Sequence, residues 1–361
     1  MKWLGKFPDP FIEEIAGQPD ALRRAAAGLS GQRSALLQIA GAARGRAIVF
    51  TGMGSSYDAC YPVVTHLAGA GATAVLVDAS ELLHFRRAML DAATLVIAVS
   101  QSGESAEVVR LAHALAGRSD RPFLVAVTNG WTNTLAREAA VVLDTGAGAE
   151  TGPSTMTFAA SLVCLAALGG ALTGEEPDLV LERVAREAER TARAIEDVLD
   201  DEALPGRLAD LLGERRSAVI LGRGPARAAA EMGALTLKEA AGLAIESLQA
   251  AQFRHGPLEL AGPGLAAMVI ATEPETSDLD LGLAEELVAA GSAVLVITTG
   301  YHGTGRSAPA GALRVDIGDL AGPLAPAASI VPAQLLAWCL AGRRGRRPGA
   351  YERASKVTTV E

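Results

Sequence analysis

The chain has 361 residues, a formal net charge of −9, 50% hydrophobic residues and 20% charged residues. This length is enough for about two globular domains, each with its own core. The acidic balance argues against nucleic acids and anionic membranes as partners, because both require a basic face on the protein. An anionic ligand would therefore need a local site built from dipoles, hydroxyl groups and a few cations.

The cysteines and the first residues of the chain indicate the compartment. Cys60, Cys164 and Cys339 are far apart and form no C-x-x-C pair, so we expect neither a disulfide framework nor a metal site. Acidic residues follow the first few positions, without an apolar segment of signal-peptide length. We therefore expect a cytoplasmic protein. The apolar run at 158–172 is short for a membrane span and favours a buried core helix.

Short apolar runs begin after a predicted helical arm at 9–29. They alternate with helical segments, and most end in Gly, Ser, Thr, Asn or Asp. This alternation predicts a parallel sheet wrapped by helices. The predicted strands of this first half lie at 47–50, 74–77, 95–99, 123–127 and 141–143.

A charged helical segment at 177–199, interpreted as an exposed connector, precedes a second pattern of the same kind. Gly222 and Gly224 follow an apolar run there just as Gly52 and Gly54 do in the first half. Further strands are predicted at 266–271, 293–298 and 313–317, with a helix near 332–341. We therefore predict an α/β protein with two tandem doubly wound, flavodoxin-like parallel-sheet domains. The predicted boundaries are an arm at 1–35, domains at 36–175 and 206–345, a connector at 176–205 and a tail at 346–361.

The segment Ser100–Ser105, with the sequence SQSGES, follows the third predicted strand and is the main candidate site. Ser100, Ser102 and Ser105 can direct their hydroxyls to one point beyond the strand, where the next helix presents unpaired N–H groups and its positive dipole end. This pattern predicts a phosphate site without a lysine, and ordinary turn and cap chemistry is the alternative. The second half has Glu273 and Glu275 at the equivalent place, where their charges would repel phosphate. We expect one phosphate site per chain.

Gly52-Met53-Gly54 at the end of the first strand raises a dinucleotide site as a weaker alternative. Asp78, after the second strand, could bind a ribose. However, Tyr57 replaces the third glycine of the dinucleotide fingerprint, and a cluster of hydroxyls suits a monophosphate better than a pyrophosphate.

Lysine is rare in this chain, which draws attention to the few lysines that are present. Lys2, Lys6, Lys238 and Lys356 are the lysines among 32 lysine and arginine residues. A lysine retained in such a chain is a candidate for chemistry that arginine cannot perform, such as a Schiff base or a tunable ammonium. Lys356 lies in a polar segment that otherwise resembles a fraying terminus.

Seven segments, in order and across nearly the whole chain, resemble one family. Together they are similar to the double sugar-isomerase-domain (SIS) family, and specifically to the isomerase half of glucosamine-6-phosphate synthase and its glutaminase-free deaminase, isomerase and deglycase relatives. The serine motif alone is moderately specific, whereas the ordered set is highly specific. The segments are Glu14–Leu22, Gly54–Tyr57, Ala79–Glu81, Ser100–Ser105, Leu237–Glu239, Arg254–Leu258 and Ser355–Val357.

The resemblance implies a role for each matching residue. Glu239 matches the base that moves a proton between C1 and C2, and His255 matches the residue that opens the sugar ring, supplied in that family by the neighbouring subunit. Lys356 matches the tail lysine that meets the open-chain carbonyl. The phosphate ligands implied are Ser55, Ser56, Ser100, Gln101, Ser102 and Ser105, and the remaining pocket residues are Ser154, Thr236 and Lys238.

The same resemblance implies a sugar phosphate as ligand, a homodimer with shared active sites, and no metal or nucleotide cofactor. Thr236 and Met156 stand where the synthase has lysines, and the sequence shows no glutaminase domain to generate ammonia. We therefore expect amine release or isomerisation of a 6-phosphorylated amino sugar, similar to glucosamine 6-phosphate, rather than synthesis. The alternatives are an isomerase or deglycase that moves no ammonia, and a non-catalytic sugar-phosphate sensor.

Overall fold

The computed structural model describes residues 9–215, 217–300 and 307–361. Residues 1–8 of the predicted arm, and residues 216 and 301–306 of the predicted second domain, lie outside the described residues. The chain divides into two compact units, each of which contains one sheet. The first-sheet unit comprises residues 20–150, 155–189 and 353–361, and the second-sheet unit comprises residues up to 19, 151–154 and 190–352.

The described residues form ten parallel strands in two five-stranded sheets. The strands of the first sheet are β1 Ala47–Thr51, β2 Ala74–Leu76, β3 Thr94–Val99, β4 Phe123–Thr128 and β5 Val141–Asp144. Those of the second are β6 Ser217–Gly222, β7 Glu246–Gln249, β8 Leu265–Ala271, β9 Ala293–Thr298 and β10 Leu313–Asp316.

The α-helices begin before the first strand and continue past the last. Up to β5 they are α1 Pro10–Ala16, α2 Gln18–Leu29, α3 Arg33–Ala43, α4 Ser55–Asp58, α5 Cys60–Gly69, α6 Ala79–His84, α7 Ala106–Ala116 and α8 Thr134–Glu138. After β5 they are α9 Met156–Thr173, α10 Pro177–Leu199, α11 Leu204–Leu212, α12 Arg227–Ala241, α13 Ala250–Phe253, α14 Ser277–Ala289, α15 Ala325–Ser329 and α16 Val331–Arg343.

Both sheets have the same doubly wound order. The first runs β2-β1-β3-β4-β5, and the second runs β7-β6-β8-β9-β10 when taken from the corresponding edge. The chain direction across the sheet therefore reverses between β1 and β3, and again between β6 and β8. Such a reversal is a topological switch point, where doubly wound proteins bind ligands beyond the carboxyl ends of the strands. The predicted fold class and the internal duplication are confirmed.

The central strands explain why the sequence pattern was informative. Every residue of β3 and of β9 is buried, because helices cover both faces of a parallel sheet. By contrast, β7 was not predicted as a strand. It has the sequence ESLQ, lies at the edge of its sheet and is only partly buried, so it carries no apolar run.

Two long helices have an apolar surface on nearly every side. Met156–Thr173 and the segment Ala325–Arg343 are long and apolar enough to cross a membrane by length and composition, but 83% of each 18-residue window is buried inside the protein. The first of these covers the run that was predicted to be a core helix. In the first-sheet unit it packs on α3 and α5.

The charged helix α10 is not simply an exposed connector, as its composition suggested. Val180, Val184 and Ala188 have no exposed surface and recur at every fourth position, so they form a buried stripe along one face. The arginines and glutamates that dominate the composition of this segment occupy the rest of the helix surface.

Candidate functional site

The switch point of the first sheet brings two of the predicted segments together. Gly52 follows β1, and the serine loop, Ser100–Ser105, follows the adjacent β3. A Cβ atom on Gly52 would lie 2.9 Å from the carbonyl oxygen of Val99 and 3.0 Å from the backbone nitrogen of Tyr57. Only glycine allows the two strand ends to approach this closely.

The serine loop curls so that the hydroxyls of Ser100 and Ser105 meet at the start of α7. The Oγ atom of Ser100 lies 3.3 Å from that of Ser105, and it accepts a hydrogen bond from the Gly103 N–H at 3.2 Å. Ser102 Oγ accepts from the Glu104 N–H at 3.1 Å. Ser105 is the N-cap residue of α7, and its side chain makes no capping bond. The hydroxyl of Ser105 is therefore not consumed by the helix, and the positive end of the helix dipole lies beside it.

The first residues of α8, the helix that follows β4, brace the serine loop. Glu104 accepts hydrogen bonds from the Thr134 N–H at 2.7 Å and from the Thr134 hydroxyl at 2.8 Å. The backbone N–H of Thr134 is the main cause that holds the pKa of Glu104 below its ordinary value. The Gly103 carbonyl accepts from Leu135 N–H at 3.0 Å. This role of Glu104 could not be inferred from the sequence, since no local pattern links Glu104 to a residue 30 positions later.

Ser55 and Ser56, the other predicted phosphate ligands, lie half-buried in the first turn of α4. The preceding Gly54 has φ 51° and ψ −131°, a conformation that glycine adopts without strain. The carbonyl of Ser56 accepts a hydrogen bond from the Cys60 thiol, and burial raises the pKa of that thiol well above its usual range. Cys60 is therefore a structural thiol and not a nucleophile.

The structure argues against the dinucleotide alternative. Asp78 is the N-cap residue of α6, and its carboxylate accepts the Glu81 N–H at 2.8 Å. The acid that could have bound a ribose is thus engaged in capping a helix.

Lys356 belongs to the same unit as the serine loop. Its Nζ atom lies 2.6 Å from Oε2 of Glu150. The carbonyl of Thr358 accepts a hydrogen bond of 2.9 Å from the N–H of Ala106, the first residue of α7. Residues 353–361 of the predicted tail are therefore attached to α7, the helix that follows the serine loop. Below, the tail means residues 353–361. It is not the fraying terminus that its polar composition suggested.

The remaining predicted residues of the second-sheet unit lie along α12 and after β7. Thr236 is fully buried, and its hydroxyl has no hydrogen-bond partner among the described residues. Lys238 is exposed, Glu239 is half-buried and His255 is exposed in the turn that follows α13. Ser154 is half-buried in the loop before α9. The pocket roles of Ser154, Thr236 and Lys238 stay predictions.

Glu239 lies toward the amino ends of the strands of the second sheet, whereas His255 lies toward their carboxyl ends. Helix α12 runs from the carboxyl end of β6 to the amino end of β7, and Glu239 is near the end of this helix. His255 follows the carboxyl end of the parallel strand β7. The topology of the unit therefore separates the predicted base from the predicted ring-opening residue.

Charged side chains fill the switch point of the second sheet. After β6, the guanidinium of Arg223 lies 2.5 Å from a carboxylate oxygen of Asp280, which is 1% exposed. After β8, Glu273 is 6% exposed. Burial, with a smaller contribution from the nearby Glu275, raises the pKa of Glu273 to about 7. These groups support the expectation that phosphate binds in the first half of the chain.

Comparison with known proteins identifies the family. The model of the SIS domain matches residues 43–170 and 211–341, so this chain belongs to the SIS domain family. Glutamine–fructose-6-phosphate aminotransferase from Pyrobaculum aerophilum is 33% identical over 368 residues, which cover 100% of this chain and 59% of that protein. The corresponding protein from Thermococcus kodakarensis is 30% identical, over 98% of this chain and 58% of its own length. The chain thus spans less than two thirds of these relatives and is homologous to their isomerase part.

Solved structures with the same fold cover nearly the whole chain. The C-terminal domain of glucosamine-fructose-6-phosphate aminotransferase from Francisella tularensis has a TM-score of 0.84 at 21% identity, over 96% of this chain and 99% of its own. Tagatose-6-phosphate ketose/aldose isomerase from Escherichia coli has a TM-score of 0.78 at 20% identity, over 97% of this chain and 98% of its own. Glucosamine-6-phosphate deaminase from Thermotoga maritima has a TM-score of 0.71 at 20% identity, over 97% of this chain and 99% of its own. The resemblance drawn from the sequence is confirmed.

Gly103→Ala tests whether the serine loop is as tightly constrained as its contacts indicate. A Cβ atom there would lie 1.9 Å from Oδ1 of Asn133, the side chain that caps α8, and φ is +64°. We expect a loss of about 2 kcal/mol or more in the free energy of unfolding, from backbone strain and a disrupted cap. The control Gly71→Ala has φ +80° with nothing within 4 Å, so it should lose only about 1 kcal/mol. Equal losses in urea titrations would contradict the tight packing.

Glu273→Gln tests the buried carboxylate of the second sheet. Folding raises the pKa of Glu273 from 4.5 to about 7, so the protonated carboxyl contributes its full stabilisation below pH 4.5. This stabilisation is lost as the pH rises through 7 and the carboxyl ionises. At pH 8 the variant should therefore be more stable than the wild type, and the difference should vanish near pH 4.5. Thermal unfolding between these pH values measures this. The exposed Glu259→Gln should show no such trend, and a parallel trend in both variants would refute the assignment.

Proposed function

We propose that this chain is a phosphosugar isomerase that acts on a 6-phosphorylated amino sugar and releases its amine. The observation that carries the proposal is the serine loop at the β1–β3 switch point, attached through α7 to the tail that bears Lys356. Membership of the SIS domain family supports a sugar phosphate as the ligand class. The name of the Thermotoga maritima neighbour, a glucosamine-6-phosphate deaminase, supports the reaction.

The phosphate group would be held by hydroxyls and backbone N–H groups rather than by cations. Ser100, Ser102 and Ser105 supply hydroxyls that donate to phosphate oxygens, and the first turn of α7 adds its positive dipole end. Because the loop is braced by Glu104, its hydroxyls need little rearrangement to bind. This anchors the sugar by a group that does not react.

The reaction itself would begin with ring opening, for which an imidazole is suited, and we assign it to His255. Glu239 then removes the proton from C2 and returns one to C1, through an enolamine intermediate. Lys356 stabilises the charge that develops on the open-chain oxygen. The product of this transfer is a C2 imine, and its hydrolysis yields the ketose phosphate and ammonia.

We further propose that a second copy of the chain supplies His255, so that the enzyme works as a homodimer. The support is topological, because Glu239 lies toward the amino ends of the strands of the second sheet and His255 toward their carboxyl ends.

Three free cysteines, two of them buried, support a reducing environment such as the cytoplasm.

An isomerase that moves no nitrogen is the second candidate. Among the neighbours, the Escherichia coli protein is named a ketose/aldose isomerase. Thr236 favours this candidate, because its buried hydroxyl takes the place where the synthase has a lysine beside the base. The same residues would perform the proton transfer in both reactions, and only the group on C2 would differ.

Glu239→Gln tests the proposed function. The protein is incubated with glucosamine 6-phosphate in D2O, exchange of the C2 proton is followed by proton NMR, and ammonia is assayed in the same sample. We expect exchange and ammonia from the wild type and a loss of at least about 100-fold in both for the variant, the usual contribution of a general base. Glu259→Gln, an exposed carboxylate of the same unit, is the control and should retain full activity.

Other results of the same experiment would favour a different function or refute the mechanism. Exchange without ammonia would favour the isomerase, and full turnover by Glu239→Gln would refute the mechanism. If the wild type binds sugar phosphates but exchanges no proton in any of them, the chain is a sugar-phosphate-binding protein and the proposed function is wrong.

A further inference from the structure

Glu150 lies in the loop between β5 and α9, and its side chain has no exposed surface. Its two carboxylate oxygens accept different sets of hydrogen bonds. Oε1 accepts hydrogen bonds from the N–H and the hydroxyl of Thr155, at 2.8 and 2.9 Å, and from the N–H of Thr157 at 3.1 Å. Oε2 accepts from the Thr157 hydroxyl at 2.5 Å and from the Lys356 ammonium at 2.6 Å. Both oxygens therefore hold the loop before α9, and Oε2 also holds the tail.

A buried carboxylate is costly unless a positive charge compensates it. In the described part of the chain, the ion pair of Glu150 is with Lys356, whose side chain is 18% exposed. The pair therefore lies in a largely desolvated setting, where a charge-assisted hydrogen bond of this length is stronger than at the surface. Breaking it would leave Glu150 both buried and uncompensated.

Two further sets of contacts attach other residues of the tail. The carbonyl of Thr358 caps the first N–H of α7, and the carboxylate of Glu361 contacts His84 and Arg110. These bonds fix the path of the backbone. A lysine side chain has four rotatable bonds beyond its Cα, so backbone anchoring alone leaves the position of the ammonium undetermined.

We infer that Glu150 is the positioning residue for Lys356. The inference rests on the proposed function, in which Lys356 meets the open-chain sugar. Glu150 holds the ammonium in one place before substrate arrives. The entropic cost of ordering the long lysine side chain is therefore not added to the barrier of the reaction. Glu150 acts through Lys356, and its own oxygens are consumed by the loop and the amine.

Trace acylation of amines, followed by peptide mass spectrometry, tests the inference without any substrate. Lys238 is exposed and serves as the internal reference. We expect Lys356 to react more slowly than Lys238 in the wild type. In Glu150→Gln, in which the charge is lost, the relative rate of Lys356 should rise about tenfold, as expected for one charge-assisted hydrogen bond.

Thr155→Val is the matched control. It removes one hydrogen bond to Oε1 and leaves the pair between Oε2 and Lys356, so the relative rate should not change. A rise of equal size in both variants would show that Glu150 merely shapes the loop. If Lys356 already reacts as fast as Lys238 in the wild type, the inference is overturned, even where Glu150→Gln fails to fold.

Turnover provides a second readout. Glu150→Gln should lower kcat more than it raises KM, and adding it to Lys356→Met should cause no further loss, because both changes remove one function. Additive losses in the double variant would contradict the inference. A protein that turns over no sugar phosphate would refute the proposed function, whereas the acylation ratios would still decide whether Glu150 holds Lys356.

Discussion

The close approach of two parallel strand ends is the constraint on which the site depends. Gly52 can lie against the end of β3 only because it has no side chain, and this contact places the segment after β1 beside the serine loop. Hydrogen bonds to Glu104 and Gly103 then hold that loop from the side of β4. The result is a set of hydroxyls oriented by the fold at the positive end of a helix, and we assign the phosphate of the proposed substrate to this place.

The two halves of the chain share a fold but have diverged in chemistry at the same topological point. In the first half the switch point holds small polar side chains. In the second it holds Arg223 paired with Asp280, and a buried Glu273 beside them. A duplicated fold thus keeps its strand order while its two copies carry different side chains at the switch point. The second copy instead carries Glu239 and His255, to which we assign the proton-transfer chemistry.

Much of the fold could be predicted from the sequence, because buried parallel strands are continuous apolar runs. The central strands β3, β8 and β9 were found within a residue of their bounds. The edge strand β7 was missed, since the exposed Glu246 and the half-buried Gln249 give no such run. Helix α10 was misjudged as fully exposed because its charged residues outnumber the valines and alanines of its buried stripe.

The approach of the Ser100 and Ser105 hydroxyls at the start of α7 could also be predicted, because the two residues lie in one short segment of the sequence. The pair of Glu150 and Lys356 could not, since the two residues are 206 positions apart and neither stands in a local pattern that requires the other. Lys356 itself was found through the scarcity of lysine and through the family resemblance. Its buried partner needed the structure, as did the docking of the tail on α7.

The central claim is that each chain binds one sugar phosphate, at the serine loop of its first sheet. Calorimetric titration of glucosamine 6-phosphate into the Glu239→Gln variant, which should bind without turnover, tests it most directly. We expect one ligand per chain, a loss of affinity of about tenfold or more when Ser100→Ala is added, and unchanged binding when Glu273→Gln is added. Two ligands per chain, or full affinity with Ser100→Ala, would contradict it.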